Sequence, residues 1–141
     1  MNTMELEING KTYSFKFGMG FLLDINKTYE VESVGRKNKE KAGLAFNVSG
    51  ILDKNPESLL IILEIANKTE TPRISRSEIM AYIESEDTDI DGLFDEVLDF
   101  LSRANCTKNM TLKIQKAAKE AEEEERALKK RQMDLMGMLS Q

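Results

Sequence analysis

The first seventeen residues constrain the fold of this chain more than any other stretch. Met4, Leu6 and Ile8 alternate with Glu5 and Glu7, the period of a strand with one buried face. Asn9-Gly10 comes next. A two-residue type I′ turn needs positive φ at both central positions, which these two residues tolerate best. Beyond the turn, Tyr13, Phe15 and Phe17 alternate with Ser14 and Lys16. Such a turn sets Leu6 opposite Tyr13 and Met4 opposite Phe15, so both apolar rows share one face. The predicted hairpin spans residues 4–17. An isolated hairpin is only marginally stable, and its aromatic face must therefore lie against helices supplied by the rest of the chain.

Helical signals fill most of the remaining chain. Gly18-Met19-Gly20 ends the strand, and Met19, Leu22, Ile25 and Tyr29 then recur at helical spacing, which predicts a first helix over the hairpin. Residues 31–41 are polar, with Gly35 and the basic Arg36, Lys37, Lys39 and Lys41, and read as an exposed loop. Their neighbours are acidic and no aromatics interleave, so a solvated loop is favoured over an anion-binding surface. Leu44, Val48, Ile51 and Leu52 mark a second helix. Asn55-Pro56 starts a third, asparagine as cap and proline in the first turn. Its segment 59–66 is apolar nearly all round, as a central buried helix should be. Ser75-Arg76-Ser77-Glu78 has the form of a capping box, and Ile74 and Ile79 stand where a hydrophobic staple belongs, so a helix runs to about Glu84. Another begins near Thr88–Asp89, with Leu93, Val97, Leu98 and Leu101 on its apolar face.

From Thr111 onward the composition changes. Residues 113–135 are rich in Lys, Glu, Ala and Arg without Gly or Pro, and no aromatic residue occurs after Phe100. Glu122 with Arg126 and Glu125 with Lys129 sit at i,i+4 in the favourable order, each adding ~0.2–0.5 kcal/mol to an isolated helix. Ile114, Ala121, Leu128 and Leu135 form one row spaced by sevens, with Ala118 and Leu139 beside it. Glu125 and Gln132 interrupt the second row, which argues against a stable coiled coil of this segment alone. The candidate partner-binding residues are Leu128, Met133, Leu135, Met136, Met138 and Leu139, apolar side chains with little left to pack against. Methionine suits such a surface because its side chain adapts. A disordered tail without a role is the competing reading. The expected architecture is mainly α: a folded domain over 1–107, with the hairpin and about five helices, and a charged extension over 108–141, helical or partly disordered.

Composition narrows the function. A net charge of −5 and a pI near 5.0 argue against a nucleic-acid binder. The chain has no histidine, which removes the commonest general base and metal ligand. Its single cysteine, Cys106, can form neither an internal disulfide nor a thiolate cluster, and reads as a half-buried residue near a helix end. No phosphate-binding glycine motif occurs. Asp87-Thr88-Asp89-Ile90-Asp91-Gly92 matches the first six positions of a calcium loop, but the twelfth, which should supply a bidentate glutamate, is Leu98. These aspartates read instead as a helix cap. No segment approaches the ~20 apolar residues of a membrane span, and nothing at the N-terminus resembles an export signal, so a cytoplasmic chain is expected. No catalysis, cofactor or metal is expected. A small adaptor or regulatory protein, binding one partner through its C-terminal helix, accounts for these features.

A more specific expectation comes from the segment Met4-Glu5-Leu6-Glu7-Ile8-Asn9-Gly10-Lys11-Thr12-Tyr13-Ser14-Phe15-Lys16-Phe17-Gly18-Met19-Gly20-Phe21-Leu22. It resembles the opening of tail assembly chaperones from long-tailed phages of low-GC Gram-positive bacteria, in which a short hairpin leads through a glycine-rich step into a helix. The likeness continues through Asn55-Pro56 and Leu59–Ala66, over roughly residues 4–105, and rests on the order of elements rather than on one motif. It implies a protein of the host cytoplasm, absent from the mature virion. Such a protein coats the tape measure protein, keeps it soluble and helps recruit the major tail (tube) protein. Self-association into an oligomer or spiral is implied as well. The same resemblance implies a longer product made by ribosomal frameshifting, for which Lys129-Lys130 marks a candidate slippery site.

Overall fold

The computed structural model describes residues 3–32 and 39–139. Strands β1 (Thr3–Ile8) and β2 (Lys11–Lys16) form the predicted hairpin. Its register pairs Leu6 with Tyr13 and Met4 with Phe15. Asn9 and Gly10 take φ of 52° and 77°, the left-handed values a tight turn between twisted strands requires. Met4, Leu6, Ile8, Tyr13, Phe15 and Phe17 are all buried.

Among the described residues the chain continues through six helices: α1 (Met19–Asn26), α2 (Gly43–Leu52), α3 (Pro56–Asn67), α4 (Arg76–Glu84), α5 (Ile90–Arg103) and α6 (Lys108–Leu139). The protein is thus mainly α, with an N-terminal hairpin and a long C-terminal helix, as its sequence predicts. Helix α3 is the central element and packs against α1, α2, α4 and β2. Its Leu59, Ile62, Leu63 and Ala66 are buried, and Leu60 and Ile65 are half-buried. Asn55 caps α3 by accepting from the Glu57 N–H at 3.0 Å. On α2, Gly43 lies so close to the end of α1 that a Cβ there would collide with the Ile25 carbonyl oxygen.

Two expectations need correction. Helix α1 buries Phe21 and Ile25, whereas Met19 is exposed and Tyr29 lies beyond the helix. The helix ends at Asn26 with Lys27 as its C-cap, and both the N–H and the hydroxyl of Thr28, the latter at 2.6 Å, turn back to the Ile25 carbonyl. Tyr29 then leads into a second ribbon and stacks on Phe46 of α2, ring centroids 4.4 Å apart. That ribbon is the other correction, because part of the expected loop over 31–41 is β structure. Strands β3 (Glu30–Glu32) and β4 (Lys39–Lys41) pair antiparallel, Glu30 opposite Lys41 and Glu32 opposite Lys39. Gly35, Arg36 and Lys37 lie outside the described residues.

The capping box at α4 is complete. Ser75 Oγ accepts from the Glu78 N–H at 3.2 Å, and Glu78 Oε1 accepts from the Ser75 N–H at 3.4 Å. Ile74 and Ile79, the staple pair, are both buried. Glu78 Oε2 also accepts from the Tyr13 hydroxyl at 3.2 Å, which ties the hairpin to α4. The Ser75 hydroxyl bond, then its backbone N–H, hold the Glu78 carboxyl below the ordinary glutamate range; burial opposes them, and Tyr13 and Lys11 lend smaller help. A depressed carboxylate pKa contributes stability above the unfolded-state value, and that stability is lost as pH falls through the folded-state value. Glu78→Gln is therefore expected to lower the melting temperature at neutral pH, with the gap from wild type closing as pH drops below the ordinary glutamate range. Ser75→Ala should cost about 1 kcal/mol through loss of the cap. Thermal melts from pH 7 to pH 2.5 check both, and a Glu78→Gln gap that stays constant with pH would refute the linkage.

Candidate partner-binding surface

The junction of α5 and α6 is built on two threonines. Thr107 Oγ1 donates to the Leu101 carbonyl at 2.7 Å, and Thr111 Oγ1 donates to the Thr107 carbonyl at 2.8 Å. Both threonines are fully buried, and Cys106 beside them is half-buried. The first turns of α6 pack on α2 and α5. Ile114, Ala117 and Ala118 face Ser49, Leu52 and Asp53 across a cleft of about 340 Å³.

Beyond Ala118 the helix leaves the body. Every described residue from Lys119 to Leu139 is exposed. At 1.5 Å rise per residue this free stretch extends about 30 Å. Of the two predicted i,i+4 pairs, Glu125–Lys129 forms at 3.4 Å and Glu122–Arg126 does not.

All six candidate residues lie on this free stretch, 57–86% exposed. The helix does not gather them on one face. With about 100° of turn per residue, Leu128, Leu135 and Leu139 fall within roughly 40° of one another, and Met136 lies beside them. Met138 flanks the stripe about 80° away on its other side, and Met133 lies about 140° round, toward the opposite face. Leucine thus forms an exposed line on the free helix, and the methionines lie outside it.

The body also exposes apolar side chains that sequence reasoning assigns to the core or passes over. Met19 and Leu23 are neighbours on α1, and Tyr29, Val31 and Phe46 are exposed around the β3–β4 ribbon. A narrow cleft between α3 and α4 is lined by Pro56, Leu60, Met80 and Ile83. Period alone cannot reveal this cleft, because the exposed Met80 comes directly after the core residue Ile79 in sequence.

The acidic segment behaves as a helix start. Asp89 Oδ1 accepts from the Gly92 N–H at 3.0 Å and caps α5, while Asp91 pairs with Lys54 at 3.0 Å. Leu98, at the twelfth position of the calcium-loop match, is half-buried against the core. Among the described residues no three acidic or cysteine side chains converge as metal ligands. A cleft of about 500 Å³ separates the β1–β2 turn from the α4–α5 turn, lined by Glu7, Tyr82, Asp87, Thr88 and Asp89 among others. Burial first, then Glu96 and Asp89, push the Tyr82 hydroxyl above its usual pKa, so it stays protonated. A neutral phenol among carboxylates makes neither a nucleophile nor a base at neutral pH. No helix among the described residues is long and apolar enough to cross a membrane.

A helical body that carries a projecting helix with an exposed leucine stripe belongs to the protein-binding class. A family model described as phage tail assembly chaperone protein, TAC, matches residues 5–116, from the hairpin to the docked part of α6. The chain belongs to the phage tail assembly chaperone family. Neither the curated proteins nor the solved structures contain a match. The free stretch from Lys119 to Leu139 lies beyond the matched residues.

Proposed function

We propose that this chain binds the tape measure protein of its phage, keeps it soluble, and helps recruit the major tail tube protein during tail assembly. It acts in the host cytoplasm by protein–protein binding, without catalysis, cofactor or nucleic acid, and is left out of the mature virion. Its copies associate with one another along the client. A tape measure protein is a very long helical chain whose apolar stripes need cover until the tube surrounds them. A projecting helix with an apolar stripe offers that cover by helix-on-helix packing.

One observation carries this reading: on a chain of this family, twenty-one consecutive residues of α6 stand free of the body and hold Leu128, Leu135 and Leu139 in one exposed line. The free helix, residues 119–139, is the partner-binding extension, with residues 1–118 as the body that holds it.

Co-expression with the tape measure protein of the same phage tests this. The full chain should keep the client in the soluble fraction and co-purify with it. A chain ending at Ala118 should leave the client in the pellet while melting within about 0.5 kcal/mol of the full chain, because every described residue it lacks is exposed. Cutting before Thr111 instead would expose the core, since Thr111 is buried and Ile114 packs there. A client that precipitates with or without the full chain would overturn the proposal.

A further inference from the structure

The cleft between α3 and α4 has a composition that sets it apart from the rest of the surface. Pro56 and Leu60 form one wall and Met80 and Ile83 the other, spaced at i,i+4 and i,i+3 along their helices. Leu60 and Ile83 are half-buried, and Met80 is 43% exposed. The cleft encloses about 180 Å³, room for an inserted apolar side chain or two. Its rim is acidic: Glu57 at the start of α3 and Glu84 at the end of α4 are exposed, and neither carboxylate has an ion-pair partner among the described residues. Glu86 and Asp87 lie just past the end of α4. Lys54, the nearest lysine in sequence, is committed to Asp91, and Arg76 is committed to Glu64 at 2.7 Å.

We infer that this cleft is a second docking site for a partner, and that its occupant is an amphipathic helix with apolar anchors at i and i+4 and Lys or Arg beside them. The apolar walls supply the anchor contacts, and the unpaired glutamates select the flanking charge and steer approach. A helix with wholly basic flanks fits this rim better than a second copy's α6, whose flanks are of mixed charge. Residues 108–139 hold eight Lys and Arg against six Asp and Glu, which leaves the remainder of the chain at net −7. Docking Leu128 and Leu135 of another copy here would bring Arg126 and Lys129 to Arg131 toward that acidic body, but Glu120 and Glu122 to Glu125 with them. A basic helix of a different protein meets no such repulsion. The site is independent of the free part of α6 and adds a contact that the proposed function does not require.

Synthetic peptides titrated into the full-length chain test this by amide chemical shifts. One helical peptide of about 18 residues carries leucines at i, i+4, i+7 and i+11 with lysine flanks, a second has glutamate flanks, and a third reproduces residues 122–139. The lysine peptide should give saturable shifts at Leu60, Met80 and Ile83 that weaken with added salt. Met80→Glu should weaken its binding at least tenfold. The double variant Glu57→Lys/Glu84→Lys should also weaken it about tenfold and bring the glutamate peptide into the cleft. All of these positions are on the surface or half-open, and the charge-reversal pair keeps the test alive if Met80→Glu does not fold. Tighter binding of the 122–139 peptide in the cleft would overturn the assignment in favour of a second copy. Shifts confined to other surfaces, or an affinity indifferent to the charge reversal, would overturn the site itself.

Discussion

Replacing Asn67 by alanine is expected to cost about 3–4 kcal/mol, a large part of the roughly 5–15 kcal/mol that holds a domain of this size together. Asn67 is fully buried at the end of α3. Its amide donates to the Ser14 carbonyl of β2 at 2.9 Å and to the Pro72 carbonyl at 3.1 Å, and its oxygen accepts from the Ile74 N–H at 2.8 Å. One side chain thus joins the hairpin, the central helix and the approach to α4. Ile74 is buried, so its orphaned N–H would reach no water, at roughly 1–3 kcal/mol. The two carbonyls recover solvent more easily, because Ser14 is half-buried and Pro72 exposed, and each adds about 0.5–1 kcal/mol. Asn67→Asp sharpens the test. It sets carboxylate oxygens against two carbonyl oxygens, which favours the protonated form, so this variant should gain stability as pH falls, opposite to the Glu78 dependence. Urea unfolding at pH 7 and pH 5 measures both. A loss under about 1 kcal/mol for Asn67→Ala would mean that the three bonds do not persist in solution.

Asn67 also marks the limit of what can be read from residues alone. Local chemistry is legible wherever a short segment determines its own conformation. Asn9-Gly10 sets the hairpin register, Ser75 to Glu78 declares a helix start, and the apolar segment after Pro56 declares the central helix. The contact between Asn67 and Ser14 spans 53 residues, and nothing in Asn67-Lys68-Thr69 announces it. The β3–β4 ribbon escapes the sequence for a different reason. Glu30-Val31-Glu32 and Lys39-Glu40-Lys41 carry no apolar alternation, since all of the first strand is exposed. The available signal is electrostatic: paired positions across the ribbon bring glutamate opposite lysine at both ends. Tyr29 reads as part of a helix face because its spacing from Ile25 is helical, whereas the helix has already ended at Asn26. For the candidate surface, the sequence identifies the segment, and helix geometry then separates the leucine stripe from the methionines.

That separation leads to the largest functional effect expected. Replacing Leu128, Leu135 and Leu139 together by serine should abolish retention of the tape measure protein in the soluble fraction while leaving the melting temperature unchanged. Burying one leucine side chain contributes about 1.5–3 kcal/mol. Three in one line, discounted for the ordering and desolvation that association costs, still correspond to at least a hundredfold in affinity, since about 1.4 kcal/mol is tenfold. The body should not register the change, because these side chains extend past the last docked turn at Ala118. Met133→Ser/Met138→Ser is the control: it removes exposed apolar surface from the same helix end, but from outside the line. If the leucine line is the contact, the control keeps most of the client soluble and the triple variant keeps none. Equal losses would mean that general hydrophobicity of the helix end, not a stripe, holds the client. Full retention by the triple variant would move the binding surface off α6 and onto the body, where the α3–α4 cleft is the next surface with the right chemistry.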